Sequence, residues 1–312
     1  MRRLLLRIAL FSLPFFAYGA VVVVLDPYCF FNLTTFISPE IKRGIAFHNN
    51  YALWTVLYYD HQSGPNVLLG DSRMAMFDTA YIKTVSGMDY ENLSMPGASS
   101  VEVVNLFWHI AKHHKLRNVD IGLNFDGLNQ FMSRDQVNAT VAVEANPLLY
   151  FTSRDVVLSS WQIVQKQFFG CKISSERPSV SKEEYWKEEL DYRGTRRLYN
   201  FKFDEGLFSK FKEIASFCRK NRIRLRFIML PMHDDAQQKI REFGLESDWR
   251  KFAGRLRALA ETWDFDYPSA ITANRENYLD PFHLTPQATH LVIDRVWAPN
   301  SLALTNSETG GH

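Results

Sequence analysis

Short apolar runs alternate with amphipathic stretches from residue 61 onwards. The runs NVLLG (66–70), VDIGLNF (119–125) and RIRLRFIMLP (222–231) are bounded by turn residues or charged residues. Runs of this kind are typical of buried parallel strands. A further strand is predicted within YENLSMPG (90–97), where the chain then turns.

Between these runs the apolar residues recur at helical spacing. The segment 99–115 begins with Ser99 and Glu102 at the spacing of a capping box. Three more helices are predicted, over 205–221, 248–263 and 285–297. Strands that alternate with helices predict an α/β fold with a doubly wound, mainly parallel sheet.

The amino terminus has a different pattern. Arg2, Arg3 and Arg7 precede an uncharged stretch from Ile8 to Leu25. As a helix this stretch would be about 27 Å long, close to the thickness of a bilayer core. The position of the arginines places the amino terminus in the cytoplasm. We therefore expect a single-pass cytoplasmic membrane protein, bound to the membrane through residues 8–25, with its main domain extracytoplasmic.

A cleaved signal peptide is the alternative, because Ala17-Tyr18-Gly19 resembles a small-x-small cleavage site. The apolar stretch continues through VVVVL beyond that site, which favours an uncleaved anchor.

Three regions are expected along the chain: an anchor at 1–26, a juxtamembrane connector at 27–60 and a main domain at 61–312. The connector is rich in aromatic residues, and Tyr28, Phe30 and Phe31 suit a membrane-interface belt. Within the main domain, residues 133–204 fit the strand–helix alternation poorly and are predicted to be an insertion. An excursion of this length usually has a function or its own structure.

Composition excludes some classes of protein. Hydrophobic residues make up 46% of the 312 residues and charged residues 22%, as in an ordinary globular protein. The formal charge is +2 and no long basic run occurs, so nucleic acid is not an expected partner. Three cysteines are too few for a disulfide scaffold. Cys171 and Cys218 could pair in an oxidising compartment, or all three thiols could be free.

Polar residues follow three of the predicted strands: Ser72, Gly97 and Asn124. Ligands bind beyond the carboxyl ends of the strands in doubly wound sheets, so these residues converge on a functional edge. Ser72 could either cap the following helix or act as a nucleophile.

A nucleophilic serine needs a histidine base that is oriented by an acceptor. Asp280 and His283 stand three residues apart in YLDPFHLTPQA. In a tight turn the Asp280 carboxylate can reach Nδ1 of His283 and leave Nε2 free.

Taken together, Gly70-Asp71-Ser72, Gly97, Asn124 and Asp280-x-x-His283 resemble the four blocks of the SGNH (GDSL-type) hydrolase superfamily. The resemblance covers roughly residues 61–300, apart from the middle excursion. It implies a flavodoxin-like three-layer fold with Ser72 as nucleophile, His283 as base and Asp280 as its orienting partner. It further implies an oxyanion hole formed by the N–H groups of Ser72 and Gly97 and the side chain of Asn124.

The third block departs from the superfamily pattern Gly-x-Asn-Asp. Gly122 and Asn124 match, but Phe125 stands where the aspartate is expected. Asn129 is an alternative source of the amide.

Other candidates are less specific. Arg73 could bind an anionic or sugar substrate or form a salt bridge, and His233 is a candidate substrate-site residue. His109 and His113 have metal-ligand spacing without an evident third ligand, so no metal is expected. The implied mechanism requires no cofactor.

Membrane-bound members of this superfamily move acyl groups onto or off cell-envelope polymers. The resemblance therefore implies an esterase or O-acyltransferase that acts on an envelope polysaccharide through an acyl-serine intermediate. Two alternatives are a catalytically inactive accessory protein, which binds a glycan or a membrane-embedded acyltransferase, and a lipid esterase.

Overall fold

The computed structural model describes residues 1–62, 64–171 and 180–298. Its strands are β1 (Asn66–Leu69), β2 (Glu91–Asn92), β3 (Asn118–Gly122), β4 (Arg224–Met229), β5 (Glu261–Asp264), β6 (Tyr278–Asp280) and β7 (His283–Leu284). Its helices are α1 (Arg2–Leu25), α2 (Pro39–Lys42), α3 (Tyr51–Gln62), α4 (Ser72–Ala75), α5 (Thr79–Ser86), α6 (Ser100–His113), α7 (Val137–Ala145), α8 (Pro147–Thr152), α9 (Arg154–Phe169), α10 (Lys182–Glu189), α11 (Thr195–Leu198), α12 (Glu205–Asn221), α13 (Asp234–Glu242), α14 (Glu246–Arg257), α15 (Ala270–Ala273) and α16 (Pro286–Trp297). Short π-helical segments span Arg43–Phe47 and Leu190–Gly194, and 3₁₀ turns span Phe125–Leu128 and Arg275–Asn277.

The chain divides into two compact units. Unit 1 consists of residues 1–63 and 136–177, and unit 2 of residues 64–135 and 178–312. The predicted division into anchor, connector and main domain stays a prediction.

Unit 2 contains a five-stranded sheet in the order β2-β1-β3-β4-β5, in which every neighbouring pair is parallel. This is the flavodoxin-like order, in which the chain changes direction of travel between β1 and β3. The predicted doubly wound α/β fold is confirmed. The carboxyl ends of β1 and β3 form the edge where a ligand site is expected.

Side chains of the central strands alternate between two helical layers. On β4, the ring of Phe227 meets Phe211 of α12, while Ile228 joins a core with Val292 and Ile293 of α16. The central strands are mostly apolar because helices cover both faces of the sheet.

A buried ion pair crosses the sheet between β3 and β4. Asp120 and Arg226 are register partners, and the guanidinium donates to both carboxylate oxygens at 2.5 and 2.7 Å. Arg226 also donates to the carbonyl of Val296 at 2.8 Å and lies over the Trp297 ring. The Asp120–Arg226 ion pair therefore links the end of α16 to the sheet.

In unit 1, α1 is long and apolar enough to cross a membrane, with mean hydropathy 2.4. Its last turn belongs to the unit, because Val22 and Leu25 are buried in two small helical cores. Asp26 ends the helix in a left-handed conformation. Its carboxylate accepts three successive backbone N–H groups, those of Phe30, Phe31 and Asn32, at 2.8–3.1 Å.

One expectation for residues 27–60 differs from the structure. Tyr28 does not lie in a membrane-interface belt: it is fully buried, and its hydroxyl hydrogen-bonds to Ser159. Phe30 stacks on Tyr150 at 4.6 Å between ring centroids. Helix α2, the π-helical segment Arg43–Phe47 and helix α3 also begin within residues 27–60.

The other local differences lie in unit 2. The helix expected over 248–263 ends at Arg257, and Glu261–Asp264 form the edge strand β5. Helix α6 begins as expected, with the Ser99–Glu102 capping box in place. All three cysteines are free: Cys29 and Cys218 are buried, and Cys171 is exposed.

Candidate active site

The turn between β1 and α4 brings Ser72 to the carboxyl edge of the sheet. Asp71 caps α4, since its side chain accepts the backbone N–H of Arg73 at 2.9 Å. Ser72 is the first residue of that helix and not its cap. Its hydroxyl is therefore available for another partner.

Two glycines allow α4 to lie directly against the strand ends. A Cβ on Gly70 would lie 2.6 Å from Cβ of Met74. A Cβ on Gly122 would lie 2.9 Å from the same atom and 3.1 Å from Leu230 Cδ1. Such distances are below van der Waals contact, so glycine is required at both positions for the close packing that positions Ser72.

The partner of the Ser72 hydroxyl is His283, which is 211 residues away in the chain. His283 Nε2 lies 2.7 Å from Ser72 Oγ. On the other side of the ring, Nδ1 lies 2.9 Å and 2.8 Å from the two carboxylate oxygens of Asp280. These are the contacts of a Ser–His–Asp triad: a nucleophile bonded to a base, and a base oriented by a carboxylate.

The carboxylate of Asp280 is held in place by the turn that carries it. Its Oδ1 also accepts the backbone N–H groups of Phe282 and His283, at 2.9 and 3.1 Å. Burial alone would raise the pKa of Asp280, but the hydrogen bond and charge of His283 outweigh it and lower the pKa. Asp280 is therefore ionised at neutral pH, as the orientation of the histidine requires.

His233 contacts the turn that carries Asp280 and His283. It is buried, its backbone N–H donates to the carbonyl of Pro281 at 2.9 Å, and its Nδ1 accepts the Asp235 N–H as the cap of α13. Burial lowers the pKa of the imidazole. These contacts give His233 a structural role, and its predicted contact with substrate stays a prediction.

Gly97 and Asn124, the other predicted oxyanion-hole residues, border one cavity, which Asp71 and Arg73 also line. Gly97 is exposed and has a left-handed φ of 77°, which favours glycine at that position. Asn124 is buried, and its Nδ2 donates to the carbonyl of Leu230 at 2.7 Å. That bond leaves the second Nδ2 hydrogen available to a ligand.

Asn129 has a different environment from Asn124. Its Nδ2 donates to the carbonyl of Arg197 at 2.8 Å, and its Oδ1 accepts the backbone N–H of Phe131 at 3.2 Å. The side chain is therefore used to hold two loop segments together. Asn124 is the better placed of the two amides, because it borders the cavity.

Arg73 lies in a buried charge network next to Ser72. Its guanidinium donates to Asp71 at 2.7 Å and to Asp126 at 3.2 Å. Arg197 pairs with the second oxygen of Asp126. Burial would raise the pKa of Asp126, but the two arginines lower it, so the carboxylate is charged at neutral pH. Of the two interpretations of Arg73, these contacts agree with a salt bridge, though a buried one.

The cavity has a volume of about 370 Å³. Asp71 and Arg73, the chain neighbours of Ser72, contribute to its wall, and so do Arg134, Arg196 and Arg197. Apolar side chains, among them Val103, Leu123 and Phe131, complete the wall, and its charged residues include more arginines than carboxylates.

Asp126 and Arg197 were not among the site residues predicted from the sequence. Asp126 follows Phe125 and stands one position beyond the place of the aspartate in the superfamily pattern, which was the available signal. Arg197 lies in the excursion 133–204, where no strand–helix pattern indicated that the chain returns to the site.

No protein-family profile and no curated protein matches the chain. Among solved structures, a GDSL-like lipase from Bacteroides thetaiotaomicron is 12% identical with TM-score 0.37, over 80% of this chain and 98% of that one. A proposed acylhydrolase from Bacteroides fragilis is 12% identical with TM-score 0.39, over 82% and 98%. A proposed platelet activating factor from Streptococcus pneumoniae is 10% identical with TM-score 0.39, over 82% and 94%.

With TM-scores under 0.5, these similarities decide nothing about the site. The sheet order and the Ser72–His283–Asp280 contacts, taken from this chain alone, agree with the resemblance to the SGNH superfamily.

Proposed function

We propose that the protein is a membrane-anchored serine esterase or O-acyltransferase that works through an acyl-Ser72 intermediate. The observation that carries the proposal is the 2.7 Å contact between His283 Nε2 and Ser72 Oγ, with Asp280 on the opposite ring nitrogen. A serine that only capped a helix would not need a contact with a histidine that is itself bonded to a carboxylate.

The reaction follows from these contacts. His283 Nε2 takes the proton of Ser72 as Oγ attacks the acyl carbon of an ester. The tetrahedral intermediate collapses, the ester C–O bond breaks, and the leaving alcohol takes the proton from Nε2. Water or a sugar hydroxyl then gives its proton to Nε2 and attacks the acyl carbon. As the second tetrahedral intermediate collapses, the bond between the acyl carbon and Ser72 Oγ breaks and Oγ takes the proton back from Nε2. Water gives hydrolysis and a hydroxyl gives transfer.

The negative charge of the intermediate needs donors that are fixed before the reaction. The Ser72 N–H is the first amide of α4 and has no place in the helical ladder. The Gly97 N–H and the second Nδ2 hydrogen of Asn124 complete the proposed oxyanion hole. Each such donor is typically worth about 3–4 kcal/mol of transition-state stabilisation.

We propose an envelope polysaccharide as the substrate. The arginines that line the cavity beside Gly97 and Asn124, Arg134 and Arg196 among them, support a substrate that carries polar or anionic groups. Helix α1 supports a location at the cytoplasmic membrane, with the site outside, where such polymers occur.

The test is covalent labelling of the full chain in detergent with a fluorophosphonate, and location of the adduct by mass spectrometry. We expect one adduct on Ser72, lost in Ser72→Ala and strongly slowed in His283→Ala. His109→Ala is the matched control, since it also removes an imidazole of unit 2. Absence of labelling in folded wild-type protein would contradict an activated serine.

An inactive accessory protein is the second candidate. It is favoured by Asn124, one of whose two Nδ2 hydrogens is already donated to Leu230, and by Phe125 in place of the expected aspartate. The same labelling decides between the two, because an accessory protein needs no reactive serine.

A further inference from the structure

Unit 1 exposes an unusual number of large apolar side chains outside α1. Leu148 is 72% exposed, Phe168 56% and Trp161 57%. The described residues of unit 1 outside α1 include nine such side chains, and we call six of them the apolar rim: Leu33, Phe36, Leu148, Val157, Trp161 and Phe168. The other three, Leu149, Leu158 and Phe169, each follow a rim residue in the chain. Exposed apolar clusters of this kind usually contact a partner or a membrane.

Helix α9 carries half of the apolar rim as a second stripe. Its buried face, with Val156 and Ile163, packs into the cores of unit 1. Val157, Trp161 and Phe168 recur at helical spacing on a neighbouring face, where they remain exposed. Phe168 extends the stripe by stacking on Phe36, with 6.2 Å between ring centroids.

The apolar rim lies at a defined level along α1. The Tyr18 hydroxyl donates to the carbonyl of Phe151 at 2.6 Å, so α8 and its exposed Leu148 lie beside Tyr18. Tyr18 is seven residues before Leu25, about 10 Å along the helix axis. On the other side, the Thr34 hydroxyl donates to the carbonyl of Val24 at 2.8 Å, which places Leu33 and Phe36 near the helix end.

We propose that the apolar rim lies in the membrane interface, in the leaflet at the carboxyl end of α1. The occupant is lipid because Leu33, Phe36 and Leu148 lie at the level of residues 18–25, beside the exposed apolar side chains of Val21 and Val24 in α1. A depth of about 10 Å agrees with interfacial helices, which bury their apolar faces about 5–10 Å deep. Trp161 is an aromatic residue of the kind that is enriched at this boundary.

The proposal rests on membrane insertion of α1 and not on the catalysis. Trp161 offers a direct test, since it is the most exposed of the seven tryptophans. The full chain is reconstituted into phosphatidylcholine nanodiscs whose acyl chains are either plain or brominated near the glycerol end, and tryptophan emission is compared. Bromine quenches tryptophans that touch the labelled part of the lipid.

We expect the tryptophan emission of the wild type to be lower in brominated discs than in plain discs. In Trp161→Phe, which keeps the rim apolar, we expect most of this difference to disappear. The matched control is Lys166→Trp in the Trp161→Phe background, which puts a tryptophan on the opposite side of α9. We expect that tryptophan to remain unquenched.

Two results, in a chain that co-elutes with the discs, would contradict the location of the apolar rim in the membrane interface. One is equal quenching of wild type and Trp161→Phe, and the other is no quenching in either. A chain that fails to co-elute with discs would overturn both the rim and the anchor. Neither result would affect fluorophosphonate labelling of Ser72, so the failure of the rim is separable from a failure of the proposed catalysis.

Discussion

The carboxylate of Asp71 accepts the backbone N–H of Arg73 at 2.9 Å and so caps the helix in which Ser72 is the first residue. The same carboxylate pairs with the Arg73 guanidinium. Two adjacent residues therefore have different contacts. Asp71 stabilises the turn, and the Ser72 hydroxyl contacts His283.

This division predicts opposite outcomes for two alanine variants. Ser72→Ala should lower the free energy of unfolding by about 1 kcal/mol or less, the value of one hydrogen bond, and abolish labelling. Asp71→Ala removes the cap and leaves Arg73 with Asp126 alone, so it should cost about 3 kcal/mol or more. Chemical denaturation of both variants in detergent measures this. A larger loss in Ser72→Ala than in Asp71→Ala would show that Ser72 is the structural residue.

The glycines beneath α4 predict a coupling between packing and activity. Gly122→Ala would place its Cβ 2.9 Å from Met74, and we expect a loss of about 1–3 kcal/mol in stability. Because Met74 is in the helix that begins with Ser72, the labelling rate should fall as well. Gly254→Ala in α14 is the control: its Cβ meets nothing within 4 Å, and the variant should be slightly more stable. Unchanged labelling in Gly122→Ala would mean that α4 tolerates displacement.

The two candidate amides should separate by kinetics. Asn124→Ala should lower kcat for a small ester by about 10²- to 10³-fold, as the loss of an oxyanion donor typically does. Asn129→Ala removes bonds to the backbone of Arg197 and Phe131, so we expect a lower melting temperature instead. Steady-state kinetics and thermal melts of both variants provide the comparison. The reverse pattern would assign the oxyanion role to Asn129.

Asp266 predicts a pH dependence of stability. Burial, together with the nearby charge of Asp264, raises the pKa of this carboxyl to about 7. The folded state thus holds a proton that the unfolded chain releases near pH 4, so this stability is complete below about pH 4 and is lost as pH rises through about 7. Asp266→Asn mimics the protonated form and should lose less stability between pH 5 and pH 8 than wild type does.

Thermal melts at pH 5, 6, 7 and 8 check this. Other groups titrate in both proteins, so the informative quantity is the difference between the two curves. Parallel curves would show that Asp266 keeps its charge in the folded protein.

The strands that position the site were predictable because they are buried on both faces. β1, β3 and β4 are short apolar runs with clear ends, and the polar residues that follow them identified the functional edge. The triad was predictable for a related reason: Asp280 and His283 are local to each other, and the sheet brings them to Ser72. The order of the motifs along the sequence and the order of the predicted strands thus indicated the same site.

The elements that were missed lack such a pattern. β5 is an edge strand whose residues are all partly exposed, and Glu261 in it pairs with Arg224, so its sequence is typical of a helix end. The buried pair of Asp120 and Arg226 looks like ordinary charge in a strand until the register is known. Arg197 reaches Asp126 from 71 residues away, across a segment without regular alternation.

The Asp26 carboxylate accepts three backbone N–H groups just after α1. This contact limits where a truncated chain can begin. Val22 and Leu25 are inside the cores of unit 1, and Asp26 ties the following turn to the helix end. A truncated chain that starts at residue 27 would therefore lose part of its folded interior along with its anchor. Proteolysis within Ala17-Tyr18-Gly19 would remove most of the exposed apolar part of α1 but leave these groups in place. The boundary of the fold therefore lies inside α1, so solubility and foldability set different start points for the chain.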